Sequence, residues 1–391
     1  MKYKVVCLCA GLALAGLTAC SAPAPESSED QPKAETATAQ SQEASSANET
    51  ISFTDQAGNT VELDKTPERF VTTALPLPSV YAITGSPTDR LVGMHPGSLS
   101  AIESGVMGAM YPELTKIPTN FIDGENINIE ELLKLKPEAV MYWADYTQQY
   151  EMMNHAGIKT IGVTTQGKGD ALYTLQTWLE IMGKMFGTSG DTDKVINYGK
   201  EVSAEIQKKL ESVPDDKKVK TLIIFNHNGK DMTTSGGTHY GQVWIESTGG
   251  INVARDIEGT PAISMEQVYE WNPDVIIVSS FTKYTAEDIL ENKIEGQDWS
   301  NVAAVKNKRV YKEPVGIYRW YPPSGDAPLM TQWMAQKQYP ELFDYDMKQK
   351  VIEYYKQFYN YDLSDAQAEG ILNSNPDAAK GADWQQGAQK K

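Results

Sequence analysis

The chain has 391 residues, of which 40% are hydrophobic and 22% charged, and its formal net charge is −17. That length leaves room for more than one packed core, and the acidity excludes nucleic acid as a partner, because phosphate binding needs a basic footprint. The three cysteines are Cys7, Cys9 and Cys20, so the chain beyond residue 20 has no disulfide, no thiolate metal site and no cysteine nucleophile.

Lys2 and Lys4 precede an apolar run at residues 5–17 that is short for a bilayer span. It ends in Leu17-Thr18-Ala19-Cys20, which resembles the bacterial lipoprotein signal. The resemblance implies that residues 1–19 are removed and that Cys20 is lipidated, giving a firm anchor without a transmembrane helix. Residues 20–50 are Ala, Ser, Pro, Glu, Gln and Thr with almost nothing apolar, the composition of a flexible tether.

An N-terminal α/β lobe is expected over 51–165. ISFTDQAGNTVELD alternates around Gly58-Asn59 and reads as a hairpin. Strands follow at 70–74, 91–94, 139–142 and 160–163, with helices at 78–85, 130–135 and 151–156. Connecting helices occupy 166–213: one at 172–186, then an unbroken helix at 191–213, capped by Asp191 or Thr192 and closed by Pro214. Val195, Tyr198, Val202, Ile206 and Leu210 place an apolar stripe along it. A second lobe over 214–325 repeats the scheme, with strands at 221–225, 275–278 and 309–311, a Gly-rich loop at 226–237, and helices at 240–247 and 266–271. Helices at 328–337, 346–359 and 364–372 make up a C-terminal extension, 326–373, and the tail 374–391 is of low complexity and expected to be disordered.

The organising feature is a repeat. NIEELLKLKPEAVMYW at 128–143 and SMEQVYEWNPDVIIVS at 264–279 share a polar cap, an apolar residue, Glu, a helical turn or two, Pro nine residues after the cap, an acid, and an apolar run. The class is therefore α/β: two similar parallel-sheet lobes joined by a single long helix, with a helical C-terminal extension. Glu130 and Glu266 fall at the second helical position of the two copies, behind caps Asn128 and Ser264 with Glu131 and Gln267 placed for capping boxes. An acid there complements the helix dipole, or serves as one of a matched pair of exposed carboxylates.

No GxSxG, HExxH, Walker A or strand-linked GxGxxG motif is present, and nothing else argues for an enzyme. The repeat, the segment TSGGTHYGQVWIESTGGINVA and the lipoprotein signal together resemble the substrate-binding proteins of ABC importers for iron–siderophore, haem and cobalamin, over residues 53–343. The resemblance implies that Glu130 and Glu266 dock onto arginines of a permease dimer driven by a cytoplasmic ATPase. It also implies an extracytoplasmic monomer with no cofactor beyond the lipid, holding its ligand between the lobes at the loops after the strands, as open α/β sheets do. Those loops offer His95, Trp143, His227, Asn228, His239, Tyr240, Tyr318, Arg319, Trp320 and Tyr321. Three aromatics around Arg319 suit a conjugated anionic chelate, so a ferric siderophore-like ligand is the first expectation. Haem ligated by His95 and Tyr240, cobalamin, or a bare Zn²⁺ or Mn²⁺ held by His95, His227 and His239 are the alternatives.

Overall fold

The alternating stretch folds as expected: β1 (Ile51–Thr54) pairs antiparallel with β2 (Thr60–Leu63), and Gly58 makes the turn at a φ of 86°. The structure is a computed structural model describing residues 50–165, 170–282 and 284–374. The signal with Cys20, nearly all of the tether and all but the first residue of the tail lie outside the described residues. The first lobe continues with β3 (Phe70–Thr72), β4 (Leu91–Met94), a small hairpin of β5 (Ile122–Asp123) and β6 (Asn126–Ile127), then β7 (Ala139–Trp143) and β8 (Thr160–Val163). Four of these form a wholly parallel sheet in the order β4-β3-β7-β8. A helix at Pro96–Ser104 and the β5–β6 hairpin had no periodic signal in the sequence.

The second lobe has β9 (Lys220–His227), β10 (Met232–Thr234), β11 (Ile251–Asn252), β12 (Ala262–Ile263), β13 (Val275–Val278) and β14 (Val310–Lys312). Its sheet runs β12-β10-β9-β13-β14, with β11 also on β9. The β9, β11, β13 and β14 strands are parallel, whereas β10 and β12 add an antiparallel edge. The expected Gly-rich loop therefore contains a strand. Its glycines allow close backbone approach: a Cβ on Gly236 would stand 2.1 Å from the Ile257 carbonyl oxygen, and one on Gly237 2.0 Å from that of Arg255.

The repeat is physical as well as textual. Leu132 and Val268 are buried, Glu130 and Glu266 exposed, and Lys136 and Asn272 both leave the helix at positive φ, 49° and 41°. The acid after the proline has one task in both copies. Glu138 Oε2 accepts from the Glu68 and Arg69 amides at 2.6 and 3.3 Å, and Asp274 Oδ2 accepts from the Lys220 amide at 2.9 Å. Each acid so closes the start of the neighbouring central strand. The caps differ. Ser264 and Gln267 form the full reciprocal box, while Asn128 accepts from the Glu131 amide and the Glu131 carboxylate turns instead to Lys134 and Asn120.

The long helix spans Ser189–Leu210, about 33 Å at 1.5 Å per residue. It starts two residues earlier than expected, because the preceding helix Tyr173–Phe186 stops at left-handed Gly187 and the chain restarts at once. Asp191 and Thr192 lie inside its first turn; neither is the cap, and Thr188 holds that position without a side-chain bond. The buried stripe is Val195, Ile196, Gly199, Val202 and Ile206. It packs on Tyr173–Phe186 and on Ala327–Gln338. The C-terminal helices are built into the core. Ala327–Gln338 is buried nearly all round, Gln338 Nε2 donates to Thr221 Oγ1 at the start of the second sheet, and Tyr354 donates to the Gly325 carbonyl while the Gly325 amide reaches Ser79 of the first lobe. One apolar cluster consequently runs from Phe70 and Met141 through the long helix to Ile223, Ile277 and Tyr355.

Candidate functional site at the ends of the two parallel sheets

The Val106 amide, just past the helix Pro96–Ser104 that follows β4, donates to the Gly316 carbonyl in the loop after β14 at 3.2 Å, so the two lobes touch there. On the second-lobe side, Phe225, His239, Tyr240 and Phe281 are half-buried around the buried ring of Tyr321. Ring centroids lie 3.9 Å apart for His239–Tyr240, 4.8 Å for Tyr240–Tyr321, and 5.3 Å for both Phe225–His239 and Phe225–Phe281. Arg319 completes the group. Its guanidinium lies 4.9 Å from the centre of the Phe281 ring, and Nη1 donates to the Ser280 carbonyl at 2.8 Å.

Behind this face sits Glu313, fully buried, whose carboxylate accepts from the amides of Ser280 and Tyr321. Burial raises its pKa, and those amides and Arg319 work against the rise. Lys312 Nζ is spent on three carbonyls, Ser279, Thr282 and Tyr284, at 2.7–2.8 Å, and burial lowers its pKa to about 8. The loop carrying Arg319 is thus held by internal bonds, leaving the guanidinium as the half-exposed charge of the group. Among the described residues it forms no ion pair.

His239 Nδ1 contacts Ser235 Oγ at 2.9 Å and the Tyr321 hydroxyl at 3.0 Å. Burial lowers its pKa to about 4, so the ring is neutral at physiological pH. A side chain at Gly241 would enter this contact, its Cβ 2.2 Å from Ser235 Oγ and 2.5 Å from the Tyr321 hydroxyl. On the first-lobe side, half-buried Trp143 ends β7 against Trp178, at 5.9 Å.

Other expected residues are placed differently. Trp320 is fully buried and donates to Asp326; Tyr318 is 4% exposed; and the Tyr321 ring lies beneath the others, so these aromatics do not supply an open stacking surface. Asn228 is exposed in the β9–β10 turn, where its side chain accepts from the amides of Lys230 and Asp231. His227 is turned away by a bulge. Thr234 opposes Ile224 but Thr233 opposes Asn226, so Phe225 is the extra residue. The parity flip sends His227 onto the opposite face from Phe225, where it meets Tyr284 and Gln297.

The histidines do not converge. In His95, Nδ1 accepts from the Gly97 amide as a helix cap and Nε2 donates to the Gly124 carbonyl; in His227, Nδ1 accepts from Gly229 and Nε2 faces Gln297. Both nitrogens of each ring are engaged. Among the described residues no group of three His, Cys, Asp or Glu could hold a metal ion, which removes the three-histidine Zn²⁺ or Mn²⁺ site and leaves His95 without a nitrogen free for haem iron. Conversely, Phe225, Phe281, Ser235 and Glu313 belong to the group and had not been singled out. Phe281 carries a sequence signal like that of Trp143: it lies three residues past the end of an apolar strand.

A family model described as periplasmic binding protein matches residues 105–314, more than half of the chain. The chain belongs to this family. A periplasmic solute binding protein from Veillonella parvula is similar at 32% identity and a TM-score of 0.74, over 85% of this chain and 99% of that one. The molybdate-binding protein MolA of Haemophilus influenzae is 28% identical over 258 residues, 61% of this chain and 71% of MolA. The iron(3+)-hydroxamate-binding protein FhuD of Bacillus subtilis is 26% identical over 208 residues, 50% of this chain and 61% of FhuD. As a periplasmic binding protein, the chain is an extracytoplasmic solute-binding component of the kind that serves ABC importers. No helix among the described residues is long and apolar enough to cross a membrane. Glu130 and Glu266 of this periplasmic binding protein stand exposed at matching helix starts, and neither forms an ion pair among the described residues.

Proposed function

We propose that the chain captures a small oxyanion of the molybdate type between its two sheets and delivers it, from a lipid anchor on Cys20, to an ABC permease dimer with a cytoplasmic ATPase. The observation that carries this reading is the compact group around Arg319. Arg319 over Phe281 and the neutral imidazole of His239, with the Tyr240 ring against it, are linked through Phe225 beside the start of the helix Tyr240–Ser247. A guanidinium fork with neutral donors suits a small oxyanion. The rings spend their faces on one another at 3.9–5.7 Å, which leaves little aromatic platform for a broad planar ligand. The similarity to MolA points the same way. A ferric siderophore-like chelate is the second reading, favoured by the half-buried faces of Trp143 and Phe281 and by the similarity to FhuD.

Calorimetric titration of the purified full chain with sodium molybdate, sodium tungstate, a ferric hydroxamate, haemin and cobalamin tests both. Stoichiometric molybdate or tungstate binding without response to the others is the expected result. Binding of the ferric hydroxamate with quenching of tryptophan fluorescence, and none of molybdate, transfers the assignment to the chelate.

The exposed carboxylates carry the delivery step. Glu130→Arg together with Glu266→Arg is expected to stop solute uptake in cells while leaving the solute affinity of the purified protein unchanged. Loss of solute binding in that variant overturns the docking assignment.

A further inference from the structure

Four large apolar side chains stand out among the described residues by their exposure: Leu133 at 44%, Met152 at 36%, Tyr173 at 47% and Tyr269 at 43%. Two of them, Leu133 and Tyr269, occupy the same position of the two repeats. Each lies three residues after the exposed glutamate, one turn along the same short helix, so acid and apolar residue share a face. The helices are Ile129–Lys134 and Met265–Trp271. Around them the burial sequence is the same in both copies from the cap to the left-handed residue: exposed cap, half-buried apolar residue, exposed Glu, half-buried third residue, buried core residue, exposed apolar residue.

An amphipathic helix on a parallel sheet needs one apolar stripe, and Leu132 and Val268 already supply it at 0% exposure. Leu133 and Tyr269 add nothing to that stripe. A lone exposed apolar residue needs no explanation, but two at equivalent sites of a two-fold repeat, each beside a carboxylate that forms no ion pair among the described residues, form a duplicated surface. Tyr269 is also prepared for contact: its hydroxyl donates to the Asp298 carbonyl at 2.6 Å, so the ring is pinned on the surface and loses little rotamer freedom on binding.

We propose that Leu133 and Tyr269 are the apolar anchors of that docking surface, each filling an apolar recess of the permease dimer beside the cation that meets its glutamate. Duplication of the patch within one chain selects a dimeric partner, since each half-site meets one subunit. The pairing of an acid with a neighbouring apolar residue selects protein over a lipid surface, whose anionic headgroups would repel Glu130 and Glu266. The carboxylates guide encounter and the apolar side chains slow release. This inference rests on the docking reading of Glu130 and Glu266.

The test is binding of the full chain to its permease–ATPase complex in nanodiscs, followed kinetically at several salt concentrations. Leu133→Ala and Tyr269→Ala are each expected to weaken binding about tenfold through faster dissociation, with the salt dependence unchanged. Tyr269→Phe should fall between the parent and Tyr269→Ala, because it keeps the ring but loses the bond to Asp298 that pins it. Glu130→Gln with Glu266→Gln should instead slow association and flatten the salt dependence. All four positions of change are exposed, so unchanged urea midpoints separate docking from folding. If the alanine variants bind like the parent while the glutamine pair fails, the apolar anchors are wrong and the carboxylate docking stands. If neither set changes binding, the docking reading itself falls.

Discussion

Replacing Asp326 with alanine is expected to remove a large part of the stability of the protein. Asp326 is fully buried at the start of Ala327–Gln338, and four donors converge on it. The Ile317 amide, the Trp320 indole and the Tyr355 hydroxyl reach Oδ2 at 2.9, 2.9 and 2.8 Å, and the Tyr359 hydroxyl reaches Oδ1 at 3.1 Å. These donors come from the Arg319 loop and from the C-terminal helix Met347–Phe358 with its end, so one carboxylate joins both to the core. Alanine strands all four in a dry interior, at a cost of about 1–3 kcal/mol each and on the order of 4 kcal/mol or more together, since such terms do not add. A domain is ordinarily stable by about 5–15 kcal/mol. Urea unfolding should show the midpoint fall steeply, and a shift as small as that of a surface substitution would show that the hub is dispensable.

The same carboxylate should leave a pH signature. Burial raises its pKa to about 6, with Tyr355, Ile317, Trp320 and Tyr359 pulling it back down. In the unfolded chain it titrates near 3.9. Between those values the native state holds more protons, so this group's contribution to stability falls as pH rises from about 4 through about 6, by roughly 3 kcal/mol. His239 acts in the opposite sense: its lowered pKa removes stability as pH falls below about 6.5 toward 4. The difference between the parent and Asp326→Asn isolates the first slope, because His239 is common to both. Asparagine keeps the shape but offers one carbonyl oxygen and an NH₂ group, so it accepts from fewer of the four donors and should be less stable than the parent at every pH.

Arg319→Ala is expected to abolish solute capture without a comparable loss of stability. Two charge-assisted bonds from the fork to an oxyanion are together worth about 3 kcal/mol or more, on the order of a 100-fold or greater loss of affinity. Lysine keeps the charge and loses the fork, so Arg319→Lys should fall between alanine and the parent. Since Arg319 is half-exposed and its loop is secured by Glu313 and Asp326, urea midpoints should move little. For a solute fully ionised over the range, affinity should be flat from pH 5 to 7, because His239 is already neutral there and Lys312 still charged. An affinity rising as pH falls through 6.5 would mean that His239 titrates in the site and that Arg319 is not its only cation.

The sequence by itself determined the class, the long helix, the two equivalent helix starts and the paired glutamates. These follow from local pattern: apolar periodicity, caps, and a proline nine residues after each cap are written in consecutive residues and repeat at 128–143 and 264–279. Only the tertiary structure decided which residues form the site group. Tyr318-Arg319-Trp320-Tyr321 are adjacent in the chain, yet Arg319 stays half-exposed, Trp320 turns into the core to reach Asp326, and Tyr321 lies beneath Tyr240. Asp326 and its donors are separated by up to 33 residues. His227 and Phe225 are two residues apart and would share a face of a regular strand, and the bulge opposite Thr233 and Thr234 separates them. In each case burial and hydrogen-bond partners come from elements distant in sequence, and a side chain follows its partners rather than its neighbours along the chain.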